Sequence, residues 1–149
     1  MTAELIYLFD VDGVLCDTGC TIDPEFEQWF LNWTIDKKYA VITGGERYQT
    51  INQIGNDIVS KAYMAFHCMG NHVFIGNNDY KINQFTFNQP ERTWLENYLK
   101  ENTYPVKVGN HIEERTGSVN FSIARWVMSN AFAHVSESSR ESGRLPVPK

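Results

Sequence analysis

The sequence predicts an α/β fold: a core built on a parallel sheet, present in part, followed by a partial α+β cap. Three observations carry this. The apolar run LIYLF at 5–9 reads as a strand covered on both faces, the pattern of parallel sheets. Two further strand-like runs follow, each after a helical stretch, and the order β-α-β-α-β calls for parallel strands joined by right-handed crossovers. Beyond residue 70 the pattern changes to hairpins around one helix, the mark of a smaller antiparallel piece.

Each element has a local reason. In TIDPEFEQWFLNW, Asp23 can cap a helix, Pro24 suits its first position, and Phe26, Trp29, Phe30 and Trp33 line one face. KYAVITGG (38–45) is a second strand that ends in a polar residue and two glycines. ERYQTINQIG (46–55) is a helix closed by Gly55, and AYMAFH (62–67) a third strand. HVFIGNNDYKINQFTF (72–87) predicts a hairpin turning at Asn77, Asn78 and Asp79. A helix follows over 89–102, then two strands within 105–126 around the turn RTGS. The polar stretch 136–149 has nothing to bury and is expected to fray.

Composition narrows the class of function. Nine Phe, seven Tyr and four Trp supply enough bulk for a core without staples. A net charge of −5 with no block of like charge argues against a nucleic-acid groove or a basic membrane patch. The start shows neither a signal peptide nor a long apolar run, so a cytoplasmic location is expected. Cys16, Cys20 and Cys68 are an odd set in no disulfide framework. His67 beside Cys68 without a CxxC pair is weak support for zinc, and reduced thiols are the better reading.

The chemistry starts at the first strand's end. In open α/β sheets ligands bind beyond the carboxyl ends of the strands. Asp10 and Asp12 stand there, with Thr43, Gly44 and Gly45 at the end of the second strand. One carboxylate can be a nucleophile or a metal ligand, the other an acid/base, and Gly13 permits the tight turn that aims both at one point. The bland alternative is a solvated turn after a strand. An isolated DxDG is weak; the apolar run before it and the hydrophobic-Thr-Gly-Gly segment one β-α-β later strengthen it.

FDVDGVL resembles the first motif of the haloacid dehalogenase superfamily, and VITGG is similar to its second. The resemblance implies a Rossmann-like core and phosphoryl transfer, with Asp10 as the nucleophile that forms an aspartyl phosphate. It implies Asp12 as acid/base, Thr43 as hydrogen-bond donor to the phosphoryl oxygens, and Mg²⁺ held by Asp10 and Asp12 (through the backbone carbonyl of Asp12) with a later acid.

A second constellation lies in EERTGSVNFSIAR, where Arg115 and Arg125 flank a tight turn and a strand carrying Asn120 and Ser122. Two arginines aimed into one cleft clamp a phosphate; two solvated arginines on a hairpin are the ordinary alternative. IEERTGSVNFSIAR resembles the cap segment of eukaryotic-type phosphomannomutases, within a group that includes Cof-like sugar phosphatases, and matches at Glu113, Arg115, Gly117, Asn120, Ser122 and Arg125. It lacks one residue, the proline after Ser122, so Arg125 is matched less securely than Arg115. The resemblance implies that Gly44, Arg115, Asn120, Ser122 and Arg125 hold a small phosphorylated sugar.

The organisation expected is a core over 1–82, a partial cap over 83–126 and a tail over 127–149. The chain ends before the family's third motif, a lysine, and its fourth, the acids completing the Mg²⁺ site. A truncated or naturally short member with low turnover is therefore expected. In that family a strand pairs with the free side of the first one. Without it LIYLF becomes an unblunted edge, which predicts a homo-oligomer.

Overall fold

The computed structural model describes residues 5–104 and 109–123. A five-stranded sheet runs in the order β1 (Ile6–Asp10), β2 (Lys38–Ile42), β3 (Met64–His67), β4 (His72–Ile75), β5 (Asn78–Ile82). β1, β2 and β3 are parallel, with Asp10 opposite Ile42, and β4 and β5 continue the sheet antiparallel. The hairpin predicted over 72–87 is therefore part of the main sheet. It turns one residue earlier than expected, at Gly76 and Asn77, because Gly76 takes a φ of +59 that favours glycine.

Helix α1 (Pro24–Trp33) begins as its sequence predicts, with Asp23 Oδ1 accepting from the amides of Glu25 and Phe26, both at 2.9 Å. α2 (Arg47–Ile54) ends at Gly55, but a further helix, α3 (Asn56–Lys61), follows at once. Gly55 (φ +81) closes one helix and opens the next, so a glycine read as a stop is also a start. Phe30, Ile54, Ile58, Tyr39, Val41 and Ala65 form the buried core, with Tyr7 and Phe9 packed against it. Phe9 meets Phe30 edge-on at 5.2 Å and Tyr7 meets Trp33 at 5.1 Å.

Among the described residues, the first strand is not covered on both faces. Tyr7 and Phe9 face the core, whereas Ile6 and Leu8, on the opposite pleat, are 43% and 60% exposed among the described residues. The cause is the strand order. Successive right-handed crossovers between neighbouring strands put their helices on one side of the sheet.

Helix α4 (Gln89–Glu101), capped by Asn88, packs with a second, two-stranded sheet of β6 (Ile112–Arg115) and β7 (Ser118–Phe121). Tyr98 stacks edge-on against Phe121 at 6.0 Å, and Arg92 pairs with Glu114. Both strands predicted within 105–126 are thus present, around Thr116 and Gly117. The expectations for 127–149 lie outside the described residues, and no described helix is long and apolar enough to cross a membrane.

Candidate active site

Parallel pairing delivers the first set of residues. Because Asp10 lies opposite Ile42, the end of β1 and Thr43 emerge side by side at the carboxyl edge of the sheet. Asp10 is exposed, and its Oδ1 accepts from the Val11 amide at 2.7 Å. Gly13 has a φ of +80, the left-handed geometry its place in the turn calls for. The loop beyond is wound on itself: the Val11 carbonyl accepts from the amides of Val14, Leu15 and Cys16, and Val11 and Leu15 are buried beneath it. A cleft of about 550 Å³ lies alongside, lined by Gly13–Asp17 and Cys20–Phe26 apart from Glu25.

Asp12 is held from two directions. Its Oδ1 accepts from the Gly19 amide at 2.9 Å and from Gln53 Nε2, on the last turn of α2, at 2.8 Å. Thr43 is buried, and its hydroxyl accepts from the Gly45 amide at 3.1 Å. Its own proton has no acceptor among the described residues, so it remains available to an incoming oxygen. The backbone beyond β3 wraps this turn. The Cys68 and Met69 amides donate to the Gly45 and Thr43 carbonyls, with both residues in left-handed conformation. Such backbone strain, sustained by its surroundings, is common at functional sites.

The second set comes from the β6–β7 hairpin, whose pleat sorts its residues. Arg115 lies opposite Ser118 and Glu113 opposite Asn120, so these four share one face, and that face meets the Thr43–Gln49 turn. Arg115 Nη1 donates to the Gly44 carbonyl at 2.5 Å, and Nη2 to Glu113 Oε2 at 2.7 Å. Glu46 accepts from the Thr116 amide at 2.6 Å, and Gln49 Nε2 reaches Glu113 Oε1 at 3.4 Å. Gly117 (φ +71) lets the turn sit against Asn71; a Cβ there would lie 2.6 Å from the Asn71 Cβ.

The structure thus brings Gly44 and Arg115 into contact, and Asp10, Asp12 and Thr43 to one sheet edge. Ser122 sits further along the hairpin, where its amide donates to the His111 carbonyl at 3.0 Å. Arg125 lies outside the described residues. Sequence reasoning missed Glu46, Gln49 and Gln53. Their signal was a polar stripe at spacings of three and four along the helix after the second strand, one face of a helix.

The donors suit a hard cation in kind: a carboxylate oxygen from Asp10 and a carbonyl oxygen from Asp12, the oxygen set that Mg²⁺ takes together with substrate phosphate and water. Among the described residues, no group of three His, Cys, Asp or Glu converges as a metal cage.

An α/β sheet with an Asp-x-Asp pair at the end of β1 and a Thr-Gly-Gly turn beside it is the arrangement that the resemblance to the haloacid dehalogenase superfamily implies. The chain is similar to the phosphomannomutase of Drosophila melanogaster, with 28% identity over 127 residues. The match takes in 78% of this chain and 49% of that protein, so the chain spans about half the length of the curated relative it matches. No family model matches the sequence. Among solved structures it is similar to a haloacid dehalogenase-like hydrolase from Bacillus subtilis (18% identity, TM-score 0.48, 62% of this chain and 33% of that one). It is also similar to an IMP-nucleotidase from Plasmodium falciparum (10% identity, TM-score 0.48, 97% and 48%).

Proposed function

We propose that the chain carries out phosphoryl transfer on a small phosphorylated sugar, through a phosphorylated Asp10. The observation that carries this is the juxtaposition of an exposed strand-end carboxylate with a buried threonine hydroxyl whose proton has no acceptor among the described residues. An Asp10 oxygen attacks phosphorus, and the bond from phosphorus to the sugar oxygen breaks. Asp12 protonates that leaving oxygen, then takes a proton from water or an acceptor hydroxyl as it attacks the phosphoenzyme. Thr43 donates to a phosphoryl oxygen. The Asp10 carboxylate and the Asp12 carbonyl would hold Mg²⁺, which offsets the charge on the transferring phosphoryl group.

A second reading, a domain that binds a phosphorylated ligand and turns it over weakly, draws support from Asp12. With Oδ1 already engaged by Gly19 and Gln53, only part of that carboxylate is left for proton transfer.

Hydrolysis of p-nitrophenyl phosphate with and without Mg²⁺ separates the two. The phosphoryl-transfer reading expects turnover that requires Mg²⁺ and is abolished in Asp10→Asn, which keeps the shape but loses the attacking charge. Full activity in Asp10→Asn would refute it. Mg²⁺-independent, negligible turnover alongside measurable phosphate binding would favour the second reading.

A further inference from the structure

Arg115 already holds an anion: its own neighbour. The Arg115 side chain is largely buried, 17% exposed, as is that of Glu113 at 15%. Edge-on recognition of a carboxylate or phosphate by arginine uses two parallel N–H groups, commonly Nε and Nη2. Here Nη2 donates to Glu113 Oε2 at 2.7 Å, whereas Nε is buried with no hydrogen-bond partner among the described residues. Glu113 lies two residues back on the same strand face and fills half of that edge. A buried donor without an acceptor is costly, so an oxygen that reached Nε would gain the full bond. A phosphate presents two oxygens at the spacing this edge requires.

We propose that Glu113 sets the anion affinity of Arg115: its carboxylate is a resident occupant that an incoming phosphate displaces. This deepens the phosphorylated-ligand reading and rests on it. The hairpin stays docked during the exchange. Nη1 keeps the Gly44 carbonyl and Glu46 keeps Thr116, and neither contact involves Glu113. Gln49 Nε2, already 3.4 Å from Glu113 Oε1, is placed to receive the displaced carboxylate. Glu113 therefore acts through Arg115 as a specificity-determining residue. It rejects anions too weak to compete with a carboxylate and admits those, like a phosphate dianion, that fill both donors.

The test is titration of the full chain with inorganic phosphate by calorimetry, in wild type, Glu113→Gln, and Glu113→Gln combined with Arg115→Gln. Removing the resident charge is expected to tighten phosphate about tenfold, the scale of one charge-assisted hydrogen bond. The gain should vanish when Arg115 is also replaced. Glu113→Asp, whose shorter carboxylate draws back from Nη2, serves as a second variant, expected to bind several-fold tighter than wild type. Thermal melting of each variant shows whether it is folded. A merely structural Glu113 would lower melting temperatures with no gain in phosphate affinity in either variant, and that result overturns the proposal; so does a gain that persists without Arg115. Loss of p-nitrophenyl phosphate turnover alone would count against the reaction assigned to Asp10, and leave this affinity effect standing.

Discussion

Arg115 Nη1 donates to the carbonyl of Gly44 at 2.5 Å, joining residues 71 positions apart. The arginine from the hairpin and the turn after β2 thus form one surface, beside the threonine assigned to the phosphoryl group. On the proposed function, a ligand with a phosphate at each end would engage both, whereas inorganic phosphate would engage one.

Arg115→Ala is therefore expected to weaken a hexose 1,6-bisphosphate by about 10–100-fold, the worth of a charge-assisted bond, and inorganic phosphate, held mainly at Thr43 while Glu113 occupies Arg115, far less. Calorimetric titration of both ligands checks it. An equal loss for each would remove Arg115 from contact with a distal phosphate.

Gly117→Ala tests the docking of the hairpin. The new Cβ meets Asn71 at 2.6 Å and the Asn83 carbonyl oxygen at 3.0 Å, and the backbone φ of +71 disfavours any L side chain. Strain of about 1–2 kcal/mol and overpacking of about 1–3 kcal/mol are expected to act on the hairpin before the main sheet. Hydrogen exchange is the readout: the Thr116 amide, bonded to Glu46, should lose protection while amides of β2 keep theirs. Unchanged protection at Thr116 would contradict the docked geometry.

Stability should fall in mild acid because of His67. This ring is buried against Phe74 with Nδ1 3.1 Å from the Thr50 hydroxyl, and burial, followed by Arg47 and His72, pushes it down to about 4 from 6.5. The unfolded chain takes up this proton near pH 6.5, the folded chain only near 4. Unfolding therefore binds a proton within that window, and stability, complete above pH 6.5, is lost as pH falls toward 4. The loss at pH 5 is about 2 kcal/mol from this residue. Urea unfolding at pH 7.5 and pH 5 should show that gap in wild type and a much smaller one in His67→Gln; equal gaps would show that other groups carry the acid sensitivity.

The edge of β1, unpaired among the described residues, leads us to propose a homo-oligomer. Leu8 is 60% exposed among the described residues, and Ile6–Phe9 contains no charge, proline or bulge to blunt the edge. Two-fold antiparallel pairing would bring each Leu8 beside its mate. Light scattering at micromolar concentration is expected to show at least a dimer, and Leu8→Lys to shift it toward monomer. A monomeric wild type removes the proposal.

The elements were legible wherever one local signal sufficed. Asp23-Pro24 announced α1, and the apolar run ending in Asp10 announced β1. Gly55 misled because two helices share it, and coverage of β1 misled because an apolar run records the residues available for burial, not the side from which the helices arrive. The placing of Asp10, Asp12 and Thr43 at the carboxyl edge of the sheet could be read from the strand ends alone. The contacts of Glu46, Gln49 and Gln53 could not, since each depends on a partner brought in by packing: Thr116, Glu113 and Asp12.

Those three residues make α2 a gauge between the two halves of the site. Gln53 at one end grips the aspartate loop, and Glu46 at the other receives the hairpin. A seven-residue helical span fixes their separation at roughly 10 Å along the axis. A length set this way is insensitive to most side-chain changes on the helix's outer face and intolerant of any change in count. One residue inserted between Gln49 and Gln53 would turn the far end by about 100° and carry one grip off its partner. Variation in this chain should therefore run through substitution along α2 and never through insertion or deletion within it.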